Sequence, residues 1–288
     1  MQYWMNLKKI LFLLTVVIST ELTVHAQTLL QTLSHAKKLY TGGEYEAAIS
    51  DLRRVLFFEN NSDPEACLML ADCYRNMHNY DKSFYYYNLA LQLFASDSMK
   101  VQTKFRIISL YLVADEPNYS LSQLFSLPEN MDSVSMRRKN FYSALAYYQI
   151  KEYDVSKEFL LKALGDKYME NRIDSVYKLA GRNNHHNVYV PMFLSIIPGL
   201  GQFYLGEYKA SANSLLLTGF LAGIYVLALR NLSPLDAVLS VLPWFERYYQ
   251  GGLLQAKELA VKKKKRKDDE YYNDLIDIYS NQIGSPAN

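Results

Sequence analysis

The feature that most constrains this chain is a pair of helical apolar patterns, Pro64–Tyr74 and Tyr80–Leu91, joined by a short polar turn through Asn76 to Asn79. Both halves carry apolar residues at three- and four-residue steps, the signature of amphipathic helices. A turn this short leaves only an antiparallel arrangement. Ala71 and Ser83, twelve residues apart, are the small residues at which the two helices cross. A large side chain at either place would push the axes beyond close-packing distance. The same spacing recurs at Ala36 with Ala48 and at Ala144 with Ser156. Anchoring on the small residue of each second helix gives Ala48, Ser83, Ser122 and Ser156, at steps of 35, 39 and 34 residues. That is the period of helix-pair repeats, and it predicts an all-α, solenoid-like fold.

Local wording agrees: Gly43-Glu44-Tyr45-Glu46-Ala47-Ala48, Asn79-Tyr80-Asp81-Lys82-Ser83 and Glu152-Tyr153-Asp154-Val155-Ser156 open the second helices. The third unit, Met99 to Leu127, is degenerate, with Leu110 where a small residue is expected and Pro117 and Pro128 bracketing a short second helix. A helix over about 166–179 is expected to cap the stack. The region from Gln27 to Ala180 resembles the tetratricopeptide repeat family, though it lacks the usual early aromatic and late proline. The resemblance implies a right-handed superhelix whose first helices line a concave face for extended peptides or partner helices. Carried over by position, that face holds Lys37 and Tyr40, then Asp72, Arg75 and Asn76, then Phe141, Tyr148 and Gln149. Three readings stand for it: a peptide groove with aromatic anchors, a solvated face, or a face filled by the chain's own tail.

Lys8-Lys9, the apolar run Ile10–Ile18 and the small residues around Val24-His25-Ala26 make a secretory leader over residues 1–26, cleaved after Ala26. The alternative is an uncleaved anchor. No cysteine lies near the cleavage point, so a lipid anchor is not expected. Cys67 and Cys73 are six apart on one helix, pointing different ways about 9 Å apart along its axis, and do not bridge easily.

After a repeat domain over 27–183 and a polar linker, Gly181–Asn187, composition changes. A membrane-associated helical module is expected over 188–252, followed by a basic, then acidic, tail over 253–288. Ala212–Leu229 has eighteen residues without charge, enough to span a bilayer narrowly. Trp244, Tyr248 and Tyr249 suit a membrane–water interface. A buried soluble hairpin gives the same hydrophobicity. Pro198-Gly199-Leu200-Gly201-Gln202-Phe203-Tyr204-Leu205-Gly206 is the most specific local wording. No Gly-Lys-Ser/Thr follows it, so it is not a phosphate loop. Pro198, Gly199, Gly201, Phe203, Tyr204 and Gly206 look like the glycine-Phe-Tyr-Leu-Gly motif of small bacterial two-helix membrane domains. They are also similar to a module that follows tetratricopeptide repeats in exported proteins of bacteria with two membranes. The resemblance implies membrane placement and no chemistry.

Asp236, Glu246 and Arg247 are the ionisable groups expected at or near membrane depth, where such groups are costly and often functional. Counting crossings, two return the tail to the side of the repeats, and three place Lys262–Lys267 in the cytoplasm. The positive-inside rule favours three, or a first segment deep enough to count as one, and the short, broken Val188–Tyr204 leaves a re-entrant hairpin open. The basic run could alternatively lie on anionic headgroups or form a solvated helix face.

The net charge of +2 over 288 residues sets no field for nucleic acid. No histidine has a carboxylate or cysteine at metal-ligand spacing, and no cofactor motif stands out. The sequence therefore predicts a non-enzymatic envelope adaptor, anchored in the inner membrane with its repeats in the periplasm. Its partners would be an envelope protein or peptide and membrane lipid. The competing reading is a membrane module with transport or lipid-related activity that the repeats regulate.

Overall fold

A computed structural model describes residues 28–165, 170–231 and 234–283. All regular structure among the described residues is α-helix, as the periodicity requires. The leader and the start of the expected capping helix lie outside the described residues. The chain divides into two compact units, one ending at Glu129 and one beginning at Asn130.

The first unit comprises α1 (Leu29–Thr41), α2 (Tyr45–Phe58), α3 (Pro64–Asn76), α4 (Tyr80–Leu93), α5 (Asp97–Val113) and α6 (Pro117–Phe125). Each helix packs on the next in sequence, giving three antiparallel pairs. Starts are encoded locally. Thr28 and Gln31 form a capping box on α1, and Asp63 accepts from the N–H groups of Glu65 and Ala66, with Pro64 at the first position of α3. Cys67 and Cys73 are both free and fully buried in the core between the first two pairs.

The second unit comprises α7 (Ser133–Gln149), α8 (Tyr153–Leu164), α9 (Glu170–His185), α10 (Tyr189–Leu194), α11 (Leu200–Tyr204), α12 (Tyr208–Asn231) and α13 (Pro234–Ile283). The last has 50 residues and is about 75 Å long at 1.5 Å per residue. It packs in turn on α12, on α11 and α10, and finally on α9, α8 and α7.

One turn closes all the pairs. In each, the residue two before the second helix has a left-handed backbone: Gly43 (φ 78°), His78 (56°), Asp115 (60°) and Lys151 (70°). The next N–H then donates five residues back, as from Glu44 to Leu39 O and from Glu152 to Tyr147 O, satisfying a carbonyl left over at the helix end. Three of these four positions are not glycine, which hides the turn from a glycine search.

The repeat register differs from the expected one in the third pair. Ser122 is exposed, while Ser120 is fully buried at the fourth position of α6, matching Ala48, Ser83 and Ser156 in their helices. The steps become 35, 37 and 36 residues, and Ile108 rather than Leu110 holds the crossing position. The Ser83 hydroxyl donates to Ala71 O at 2.8 Å and that of Ser156 to Ala144 O at 2.7 Å, each twelve residues back. The Ser120 hydroxyl has no such acceptor, because the isoleucine replaces the alanine that lets the axes approach. Ser120→Ala is therefore expected to stabilise the first unit by about 1 kcal/mol, and Ser83→Ala to destabilise it by a similar amount. Paired thermal unfolding of the two variants reads the opposite signs.

Two boundaries differ from the sequence reading. The polar stretch expected as a linker forms the last turns of α9, through His185, and Asn183 is buried there because its side chain donates to Lys264 O at 2.9 Å. The border expected at 252/253 lies inside α13, so module and tail are one helix. The tail also folds back. Asp268 contacts Lys151 and Tyr148, and Tyr279 stacks on Phe141. The tail and the fourth helix pair therefore pack against each other, and Lys263 and Lys264 of the basic run donate to backbone carbonyls of the same unit.

Among the described residues, α12 is the one helix long and apolar enough to cross a bilayer. Its 24 residues reach about 36 Å, against about 30 Å of hydrocarbon. Only 11% of its most apolar stretch is buried.

Candidate functional site

In the first unit, Asp72 on α3 is buried and accepts from three side chains on three other helices. Tyr40 of α1 donates to its Oδ2 at 2.9 Å, Tyr87 of α4 donates to Oδ1, and Arg106 of α5 forms an ion pair with Oδ2. One carboxylate thereby ties four helices together. Burial, with help from the Asp72 charge, pushes the Tyr40 phenol up to about 12. Of the residues assigned to the concave face, Asp72 and Tyr40 are thus engaged within the protein. Lys37 is exposed and reaches Glu65 at 3.5 Å, a contact worth under about 1 kcal/mol. Arg75 is half-buried. Asn76 is exposed, its side chain donating to Asp72 O.

In the second unit, the corresponding face of α7 is covered by the end of α13. The Phe141 and Tyr279 rings stack with centroids 3.8 Å apart, and Tyr148 lies against Tyr272. The Tyr148 hydroxyl donates to Asp268, and Lys151 pairs with the same carboxylate. Burial and the Asp268 charge raise the Tyr148 pKa well above the usual phenol value. Gln149 is half-buried beside them. Of the alternatives open for this face, self-occupancy is the one adopted at the fourth pair.

The Pro198–Gly206 motif has a geometry that its wording concealed. Gly206 (φ 78°) precedes α12 by two residues, and Glu207 N donates to Gln202 O at 2.9 Å. Ser211, the fourth residue of α12, donates to Gly199 O at 2.8 Å, twelve residues back. This is the closure of the helix pairs again. Gly199-Leu200-Gly201-Gln202-Phe203-Tyr204-Leu205-Gly206-Glu207-Tyr208 overlays Ala144-Leu145-Ala146-Tyr147-Tyr148-Gln149-Ile150-Lys151-Glu152-Tyr153 position for position. The glycines mark closer approach than alanine allows. A Cβ on Gly199 would fall 2.6 Å from Ser211 O, and one on Gly201 would fall 1.9 Å from Pro191 O.

Gln202, which the sequence analysis did not single out, is the centre of this knot. It is fully buried, accepts from the Ser195 hydroxyl at 3.2 Å and donates to Gly252 O at 2.8 Å, locking α11 to α13. A polar residue between two glycines in an apolar run is the signal that could have found it. Phe203 and Tyr204 point outward, each 58% exposed, and Pro198 is half-buried.

Asp236, Glu246 and Arg247 are exposed along α13. Glu246 accepts from Gln250 at 2.9 Å. Ten residues of helix, about 15 Å, separate Asp236 from Glu246, so these groups do not converge on one point. No cluster of three or more metal-ligating side chains is present among the described residues. No protein-family model matches this chain, and comparisons with curated proteins and with solved structures find no match.

Proposed function

We propose that this chain is a non-enzymatic adaptor of the cell envelope, exported by its leader, held in a membrane by the α12–α13 hairpin, and binding a protein partner through tetratricopeptide-like helix pairs. The observation that carries the reading is the contrast within the second unit. Leu216, Phe220, Leu227, Leu239 and Trp244 on the hairpin are more than half exposed, while the fourth helix pair buries a conventional apolar core. Contiguous exposed apolar surface of this kind marks a membrane or partner interface. The continuous α13 then acts as a strut that fixes the fourth pair to the anchor. The first unit remains for a partner, with Lys37, Arg75 and Asn76 on its concave side and the fourth pair's aromatics already satisfied.

Two crossings put both flanks of the hairpin on one side. In spheroplasts, external protease is expected to digest the helix pairs and a tag after Asn288 together, and carbonate washing to leave the chain in the membrane. A tag that stays protected while the helix pairs are cut, or a chain released by carbonate, overturns the anchoring. A photo-crosslinker at Asn76 is expected to capture a partner that one at Tyr148 does not. The scattered placement of Asp236 and Glu246 also predicts that Asp236→Asn and Glu246→Gln leave that capture unchanged, whereas a transport mechanism through them would fail.

A further inference from the structure

Where α9, α10 and α11 meet the middle of α13, the second unit forms an open cavity of about 500 Å³. That volume lies within the range of small-molecule sites. Its wall carries Arg182 from α9 and Lys263, Lys264 and Lys267 from α13, and no carboxylate lines it. Four cations brought together in one hollow repel one another, so a built cavity of this charge is completed by an anion. Two of the four are positioned by the fold. Lys263 donates to Leu205 O at 2.7 Å at the end of α11, and Lys264 donates to Asn184 O at 2.6 Å at the end of α9, where helix carbonyls carry partial negative charge. Arg182 and Lys267 are exposed and form no ion pair among the described residues. Of the carboxylates that follow the basic run, Asp268 pairs with Lys151 and Glu270 lies 3.8 Å from Arg266.

Apolar side chains share the lining. Leu179, Val190, Pro191 and Tyr204 contribute to it, and Val190 and Tyr204 are also exposed residues of α10 and α11. Cations and apolar side chains lining one cavity, in a unit whose hairpin exposes large apolar residues, match an amphiphile with a charged head rather than a free ion.

We propose that this cavity binds the phosphodiester headgroup of an anionic membrane phospholipid, with Arg182 and Lys267 on the phosphate and the acyl chains running over Val190 and Tyr204 towards α12. Guanidinium and ammonium groups make charge-assisted hydrogen bonds to phosphate oxygens. The basic run would then serve a single bound lipid at the junction of anchor and helix pairs, rather than a diffuse charged surface. The site rests on the membrane reading above, but its test in detergent does not depend on how the chain sits in cells.

The full chain in neutral-detergent micelles is titrated with phosphatidylglycerol and, separately, phosphatidylcholine, and bound lipid is read by native mass spectrometry. Phosphatidylglycerol is expected to bind with one-to-one stoichiometry and to be preferred. Arg182→Gln with Lys267→Gln should weaken it about tenfold or more. Lys262→Gln with Lys265→Gln removes the same charge from exposed positions that do not line the cavity and should leave binding unchanged. Equal weakening by both pairs, or equal binding of the two lipids by the unaltered chain, overturns the site. Displacement of the lipid by inorganic phosphate at matched concentration would reassign the cavity to a soluble phosphate and overturn its lipid occupant.

Discussion

Gly201→Ala is expected to unfold the junction between α10, α11 and α13 at a temperature where the unaltered chain is intact. The added Cβ would sit 1.9 Å from Pro191 O and 2.2 Å from the Ser195 hydroxyl. The first of these is backbone, held by its own helix, and cannot step aside as a long side chain does. Overpacking of a tight site costs about 1–3 kcal/mol and occasionally more, and the shortness of this contact puts Gly201→Ala at the upper end. Separation of α11 from α10 would also break the Ser195–Gln202 bond and free the buried Gln202 amide, so the loss propagates to Gly252 on α13. Two other glycines calibrate the result. Gly206 has open space around its Cβ position but a φ of 78°, so Gly206→Ala costs only the left-handed backbone, about 1–2 kcal/mol. Gly219, inside α12, has neither constraint and should tolerate alanine. Thermal unfolding in detergent, read with proteolysis around residues 195–199, is expected to rank the losses as Gly201 first, Gly206 second and Gly219 last. Equal behaviour of Gly201→Ala and Gly219→Ala would sink the knot.

Asp72→Ala should destabilise the first unit by about 3 kcal/mol, the low end of the range for leaving a charge unpaired, since the Arg106 side chain is 33% exposed and water can still reach it. Arg106→Met together with Asp72→Leu should recover the part of that loss owed to the orphaned guanidinium, while the Tyr40 and Tyr87 hydroxyls still lack their acceptor. Chemical denaturation of the single and double variants measures the coupling. The same cluster sets a pH dependence. The folded-state pKa of Tyr40 is raised, so its contribution to stability is fully present below the unfolded value of about 10. It is lost as pH rises towards about 12, because the unfolded phenol releases its proton first. Tyr40→Phe should make that fall shallower without abolishing it, since burial also raises Tyr87, Cys67 and Cys73, and unfolding monitored across alkaline pH reads the difference.

The helix pairs were legible because they rest on local chemistry. Ala36, Ala71 and Ala144 announce themselves by spacing, and the side chains of Asp63, Asn79 and Asp132 cap the helices that follow them. The third pair was misread by two residues because Ile108 and Ser120 break the small-residue rule on one side only. The twelve-residue spacing of Gly199 and Ser211 stood in the sequence as plainly as that of Ala144 and Ser156. Glycine stands there in place of the alanine of the other pairs, so the closure is hidden by its composition. Gln202 escaped notice because an isolated glutamine carries no periodicity.

Sequence by itself determined that the chain is helical, where most helices begin and turn, and that one segment is apolar enough for a bilayer. Those properties follow from backbone preferences and hydrophobic period, which act over a few residues. What only the tertiary structure decided was the use of the concave residues and the path of the last fifty. Asp72 became a strut and not a ligand site, and Phe141 and Tyr148 became the seat of the tail, because Arg106, Asp268 and Tyr279 reach them from 34 to 138 residues away. Complementarity between side chains that distant leaves no trace in local pattern, and it appears only once the helices are packed.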